Sequence, residues 1–220
     1  APDASAKHRA GHWVAEAVWP SPRVSRKVLA LGAEMAGALP ARVNTPQHLG
    51  LQAGEFFPMG LNAEMPGDQR GDDALSTCYD GPVLTAPLDL LGAARLSLRL
   101  SSDKPLAFVV ARLCDVAPDG ASVRIAHGML NLCHRDSMED PAPMQPGQET
   151  EGSFLIDQMA YRLAPGDNLR LALSTTYWPF VWPSPEAATL TINAGSLDLP
   201  VHSGSTAEWA PPPPEGAEPW

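Results

Sequence analysis

Residues 106–132, LAFVVARLCDVAPDGASVRIAHGMLNL, decide the fold. Leu106–Val116 is apolar on both faces around Phe108, Val109 and Val110, the pattern of a central strand covered on two sides. Pro118-Asp119-Gly120 then reverses the chain. Proline pre-sets its own φ, aspartate tolerates the next turn position and glycine accepts φ > 0, so a tight hairpin is predicted. The return strand, Ser122–Leu132, carries apolar residues first at odd positions (Val123, Ile125) and then at even ones (Leu130, Leu132). That change of phase predicts a β-bulge at Gly128. His127, beside it, is expected to point inward as a hydrogen-bonded, half-buried side chain.

The pattern continues on either side of the hairpin. Ala94–Leu100 alternates, with Ala94, Leu96, Leu98 and Leu100 on one face and Arg95, Ser97 and Arg99 on the other, as a half-buried strand does. Downstream, Arg135–Gln148 is a proline-rich loop, and Pro165-Gly166 makes a second tight turn before the alternating Leu169, Leu171 and Leu173. Thr189–Ile192 and Leu197–Val201 read as two short strands parted by Asn193-Ala194-Gly195. Lys27–Leu31 and Leu75–Asp80 are weaker strands, and Leu29–Leu39 holds helix formers interrupted by Gly32 and Gly37. Eight to ten strands in all predict an all-β antiparallel sandwich.

Composition agrees. The 24 prolines and 18 glycines in 220 residues exclude a helical bundle or a doubly wound α/β fold, because internal prolines break helices. With 44% apolar and 18% charged residues, the chain can bury a core. The net charge of −10, with no basic run, argues against nucleic acid, and no basic amphipathic stretch or long apolar run points to a membrane. Cys78, Cys114 and Cys133 lack metal-like spacing; they read as buried, reduced thiols of a cytoplasmic protein, with one disulfide plus a free thiol as the lesser alternative. Ala1–Lys7 has no signal-peptide pattern and no initiator Met, as a chain beginning partway along a longer protein would show.

Motifs for chemistry are sparse. No Gly-x-Ser-x-Gly elbow, HExxH, P-loop or dinucleotide fingerprint occurs. Neither a metal nor a cofactor is expected: His8 and His12 have helical spacing but no further ligand, and Asp68, Asp72 and Asp73 match no calcium loop. The simpler reading of Gly67–Asp73 is a turn in which Arg70 pairs with a carboxylate. Tyr177–Pro183, YWPFVWP, supplies Trp178, Phe180 and Trp182 as candidate docking or stacking aromatics. A buried plug or a face for another domain is favoured over a sugar platform.

Several stretches together resemble one family. Ala111–Ser122 with His127–Arg135, Pro165–Pro179, Gly11–Pro22, Asp68–Asp73 and Trp182–Glu186 are similar to the C-terminal domain of the cocaine esterase and X-Pro dipeptidyl-peptidase superfamily of serine hydrolases (CocE/NonD type). His12 and Asp167 depart from it, where the family often has Arg and His. The resemblance implies a jelly-roll sandwich of the galactose-binding-like type spanning residues 11–205, between a linker at 1–10 and a proline-rich tail at 206–220. It also implies that the Ser-Asp-His triad belongs to a preceding α/β-hydrolase domain of the same parent chain, so no catalytic residue is expected here. The sandwich would pack on that domain and wall its cleft. Within Gly54–Gly60 the resemblance singles out Phe56 and Phe57 as apolar lining, with burial in the core as the competing reading. A stand-alone carbohydrate-binding module and a homo-oligomerising domain are the alternative functions.

Overall fold

In the computed structural model, residues 11–59, 63–204, 209–213 and 215–216 are described. The expected 1–10 linker and much of the 206–220 tail lie outside them. Nine strands run through the described residues: β1 (Val24–Ala30), β2 (Ala41–Val43), β3 (Thr77–Asp80), β4 (Leu88–Ser102), β5 (Phe108–Val116), β6 (Ser122–Asn131), β7 (Thr150–Leu163), β8 (Asn168–Ser174) and β9 (Leu190–His202). One four-residue helix, α1 (Arg70–Asp73), precedes β3.

The strands form two sheets, ordered β1-β9-β4-β7 (with β2 on β9) and β3-β8-β5-β6, and the strand pairs are antiparallel. From β2 onward, β5 and β6 are the one pair of consecutive strands that stays in one sheet; each other step crosses to the opposite sheet. That is jelly-roll order. Leu96, Leu98 and Leu100 of β4 face Val109, Ala111 and Leu113 of β5 across the sandwich, with Ile156, Leu171, Leu173 and Leu197 completing the core.

The β5–β6 hairpin is as expected. Gly120 takes φ 85°, and its amide donates to the Ala117 carbonyl at 2.8 Å. The phase change, however, falls earlier than Gly128. Leu113 pairs with Ala126 and Cys114 with Arg124, so Ile125 is the unpaired residue. Gly128 has a different reason to be glycine: an added Cβ would lie 2.5 Å from the Leu155 carbonyl oxygen, where β6 and β7 meet at the corner between the sheets.

Two further expectations are corrected. Asn193-Ala194-Gly195 is no turn but part of the continuous β9, because β4 pairs with both halves and absorbs the break as a register shift. The strand β7 escapes the sequence reading, since exposed Leu155 interrupts its alternation. No helix among the described residues is long and apolar enough to cross a membrane.

Candidate functional site: a covered sheet face with exposed aromatics

Even-numbered residues of β5 point away from the sandwich core, yet Val110, Arg112, Cys114 and Val116 are all buried. Their cover is two loops: residues 45–76, including α1, and residues 175–183. Val110 packs with Leu49, Ala53 and Tyr177 in a second apolar cluster. A buried guanidinium is costly unless paired and hydrogen-bonded. Arg112 meets most of that demand, its Nη1 donating to Gln69 Oε1 at 3.0 Å and its Nη2 to Ser76 Oγ at 2.8 Å, with Asp73 Oδ1 at 3.1 Å, while its buried Nε has no hydrogen-bond partner.

The Gly67–Asp73 stretch now has a role for each polar residue. Arg70 pairs with Asp68 at 2.6 Å, the predicted local ion pair. Asp73 Oδ2 accepts from Ser122 Oγ (2.7 Å) and Arg170 Nη1 (3.3 Å), and Arg170 also reaches Asp80 at 2.7 Å. Two cations thus face two carboxylates. Asp72 accepts from the backbone amides of Gly50 and Gln52 at 3.2 and 3.1 Å, tying down the loop that carries Phe56 and Phe57. The Trp178 amide donates to the Leu49 carbonyl at 2.7 Å, so both covering loops are stitched together. Gly50 allows this approach at φ 121°, because a Cβ there would collide with the Trp178 backbone.

The aromatic residues divide by depth. Tyr177 is buried, its hydroxyl accepting from Arg124 Nη1 at 2.6 Å and donating to Gln69 Oε1 at 3.2 Å. Burial pushes its phenol above the ordinary range. Phe180 stacks on Tyr177 with centroids 5.4 Å apart, and Phe56 meets Phe180 at 5.9 Å. Trp178 and Trp182 meet edge to face at 5.1 Å. Phe56, Phe57 and Trp182 are 65%, 73% and 76% exposed, which removes the reading of the two phenylalanines as core.

His127 is also corrected. It lies opposite Arg112 on the covered outer face, with its ring 4.6 Å from Phe180, rather than in the sandwich core. Burial first, and the nearby Arg124 second, lower its pKa; Asp157, 3.5 Å from Nδ1, opposes them. The other ordered histidine contacts are structural. His134 Nδ1 meets the Ser137 carbonyl at 3.1 Å, and His202 meets Glu16 at 2.8 Å. Burial pushes the Cys78 and Cys114 thiols up to about 11 and about 12, the reverse of an activated nucleophile. Of the departures from the family, Asp167 is buried at the β7–β8 turn and His12 is exposed. The arrangement offers an apolar wall on a rigid backing.

Sequence reasoning did not find Gln69, Arg112, Arg124 or Tyr177 as parts of one structure. One signal was present: an arginine inside the apolar run FVVARLCDV must find partners if both faces are covered.

Comparison with known proteins agrees with this architecture. The model of the X-Pro dipeptidyl-peptidase C-terminal non-catalytic domain matches residues 2–209. Cocaine esterase from Rhodococcus sp. (strain MB1 Bresler) is 30% identical over 120 residues, covering 52% of this chain and 20% of that protein. An aminopeptidase from a marine sediment Thaumarchaeota archaeon superposes with a TM-score of 0.69 at 17% identity, over 87% of this chain and 39% of the other. A CocE/NonD family hydrolase from Staphylococcus aureus gives 0.64 at 12% identity, over 87% and 39%. The chain therefore spans a fifth to two fifths of the length of these relatives. With a family match across nearly the whole chain, the chain belongs to the X-Pro dipeptidyl-peptidase C-terminal non-catalytic domains.

Proposed function

We propose that this chain is the accessory β-sandwich of a serine hydrolase acting on esters, amides or X-Pro peptides. It packs on an α/β-hydrolase domain of the same parent chain, and Phe56 and Phe57 line the active-site cleft, contributing binding area and excluding water. The observation that carries this reading is the exposed aromatic group of Phe56, Phe57, Trp178 and Trp182 on a buried polar backing. Rings held in solvent by a buried polar network suit a surface meant to be covered. The free thiols of Cys78, Cys114 and Cys133 support a reducing, cytoplasmic setting.

The test is functional. The 220-residue chain alone should leave activated acyl esters and Ala-Pro amides intact. Joined to its hydrolase domain it should support turnover, and Phe56→Ser with Phe57→Ser should raise KM. Turnover by the chain alone overturns the reading. The same face, left uncovered, should drive concentration-dependent self-association of the chain. A carbohydrate-binding role is less well supported, because the edge-to-face Trp178–Trp182 pair presents no shared plane to a sugar ring; glycan binding abolished by Trp182→Ala would reverse that preference.

A further inference from the structure

The polar groups beneath the exposed aromatics form a chain with only one possible polarity. Gln69 is fully buried and uses its whole amide: Nε2 donates to the Gln52 carbonyl at 2.6 Å and the Gly67 carbonyl at 2.8 Å. Two carbonyls can only accept, so the amide cannot be flipped, and Oε1 must face donors. Those donors are Arg112 Nη1 and the Tyr177 hydroxyl. Arg124 can only donate, so it fills the remaining lone pair of the Tyr177 hydroxyl, at 2.6 Å.

The tyrosine ring is thereby held in three ways. Its hydroxyl is fixed at both bonds, and the guanidinium carbons of Arg112 and Arg124 lie 5.3 and 5.5 Å from its centroid. Arg124 reaches further, lying 4.8 Å from the Phe180 centroid, while His127 meets the same ring edge-on. Phe180 in turn carries Phe56. The relay connects residues of β5, β6, the start of α1 and both covering loops.

We propose that Arg124 and Tyr177 are positioning residues: together they set the orientation of Phe180 and, through it, Phe56, so that the apolar wall is presented in one arrangement. The catalytic side of this inference rests on the cleft-wall reading above; the structural side does not.

The experiment uses the chain labelled with 4-fluorophenylalanine at its five phenylalanines, with fluorine lines assigned by single Phe→Leu variants. Arg124→Met should shift the Phe180 and Phe56 lines toward solvent-exposed values and leave Phe154, in the core against the opposite sheet, in place. If that variant does not fold, Tyr177→Phe serves, since it keeps the ring and removes both hydroxyl bonds; the sixth line it adds, at position 177, is read apart from the original five. Unmoved Phe180 and Phe56 lines, or an equal shift of all five, overturn the inference. With the hydrolase domain attached, Arg124→Met should raise KM about three- to tenfold at unchanged kcat, the range of a lost cation–π contact. Shifted fluorine lines beside an unchanged KM would sink the cleft-wall reading while leaving the positioning relay standing.

Discussion

The two outer faces of this sandwich obey different rules. On the β1-β9-β4-β7 sheet, β4 alternates as a solvated strand must: Arg95 and Arg99 are exposed, and Ser97 pairs with Ser153 at 3.1 Å. Its ion pairs are open to water, as with Arg26–Asp198 at 2.9 Å, and its hollow of about 560 Å3 mixes Ser97, Arg99, Glu151 and Ser153 with Leu98 and Ala194. On the β3-β8-β5-β6 sheet, β5 is buried on both sides and the Arg112–Asp73 pair is sealed under loops. The first face needs only water. The second needs partners from the protein for its buried charges, and what it then shows to solvent is aromatic.

The largest expected contrast comes from the same substitution on each face. Asp73→Ala strands Arg112 without its carboxylate and should cost about 3–5 kcal/mol in urea unfolding. Asp198→Ala removes a half-exposed partner of Arg26 and should cost ~1 kcal/mol or less. Equal losses would mean that the covered network is no more buried than the open one.

The corner where the sheets meet gives the next effect. Gly128→Ala forces a methyl against the β7 backbone and should cost about 1–3 kcal/mol. Gly152→Ala meets side-chain carbons at 3.4 Å or beyond and should cost less by the same measurement.

A pH effect near neutrality should follow on the covered face. His127 has a folded pKa lowered by burial and Arg124, so the unfolded chain takes up the proton more readily. Its contribution is intact above the unfolded value of about 6.5 and is lost as pH falls through the folded one. Stability measured by denaturant titration should therefore decline below that pH, and His127→Gln should flatten the decline. An imidazole resonance titrating at or above the unfolded value would contradict the burial.

The smallest effect is on stability at the aromatic rim. Phe57→Ser removes a ring that is mostly in solvent, so unfolding should shift by ~0.5 kcal/mol or less. A loss of several kcal/mol would return Phe57 to the core.

What was legible in the residues was local. The β4 alternation, the Pro118–Gly120 hairpin and the Pro165-Gly166 turn are local patterns, each encoded within a few positions. Legibility failed where a distant partner decided. Ile125, not Gly128, is the bulge, because the register against β5 is set by pairing and not by where glycine stands. β9 stays continuous through Asn193–Gly195 because β4 pairs on both sides of the break. The candidate site was half legible: Phe56, Phe57, Trp178, Phe180 and Trp182 stand out as aromatics, whereas Gln69 and Tyr177 look ordinary until they meet across 108 positions.

Residue chemistry and short-range periodicity were enough to dictate that this chain makes β-strands, where it turns tightly, and which class of sandwich it joins. Only packing in three dimensions could choose which sheet face would be sealed and which aromatics would be left outside. The reason is that burying Arg112 requires Asp73, Gln69 and Ser76 at once, and those residues lie 36 to 43 positions away along the chain. A window of sequence carries the demand for such partners, but the closed fold alone supplies them.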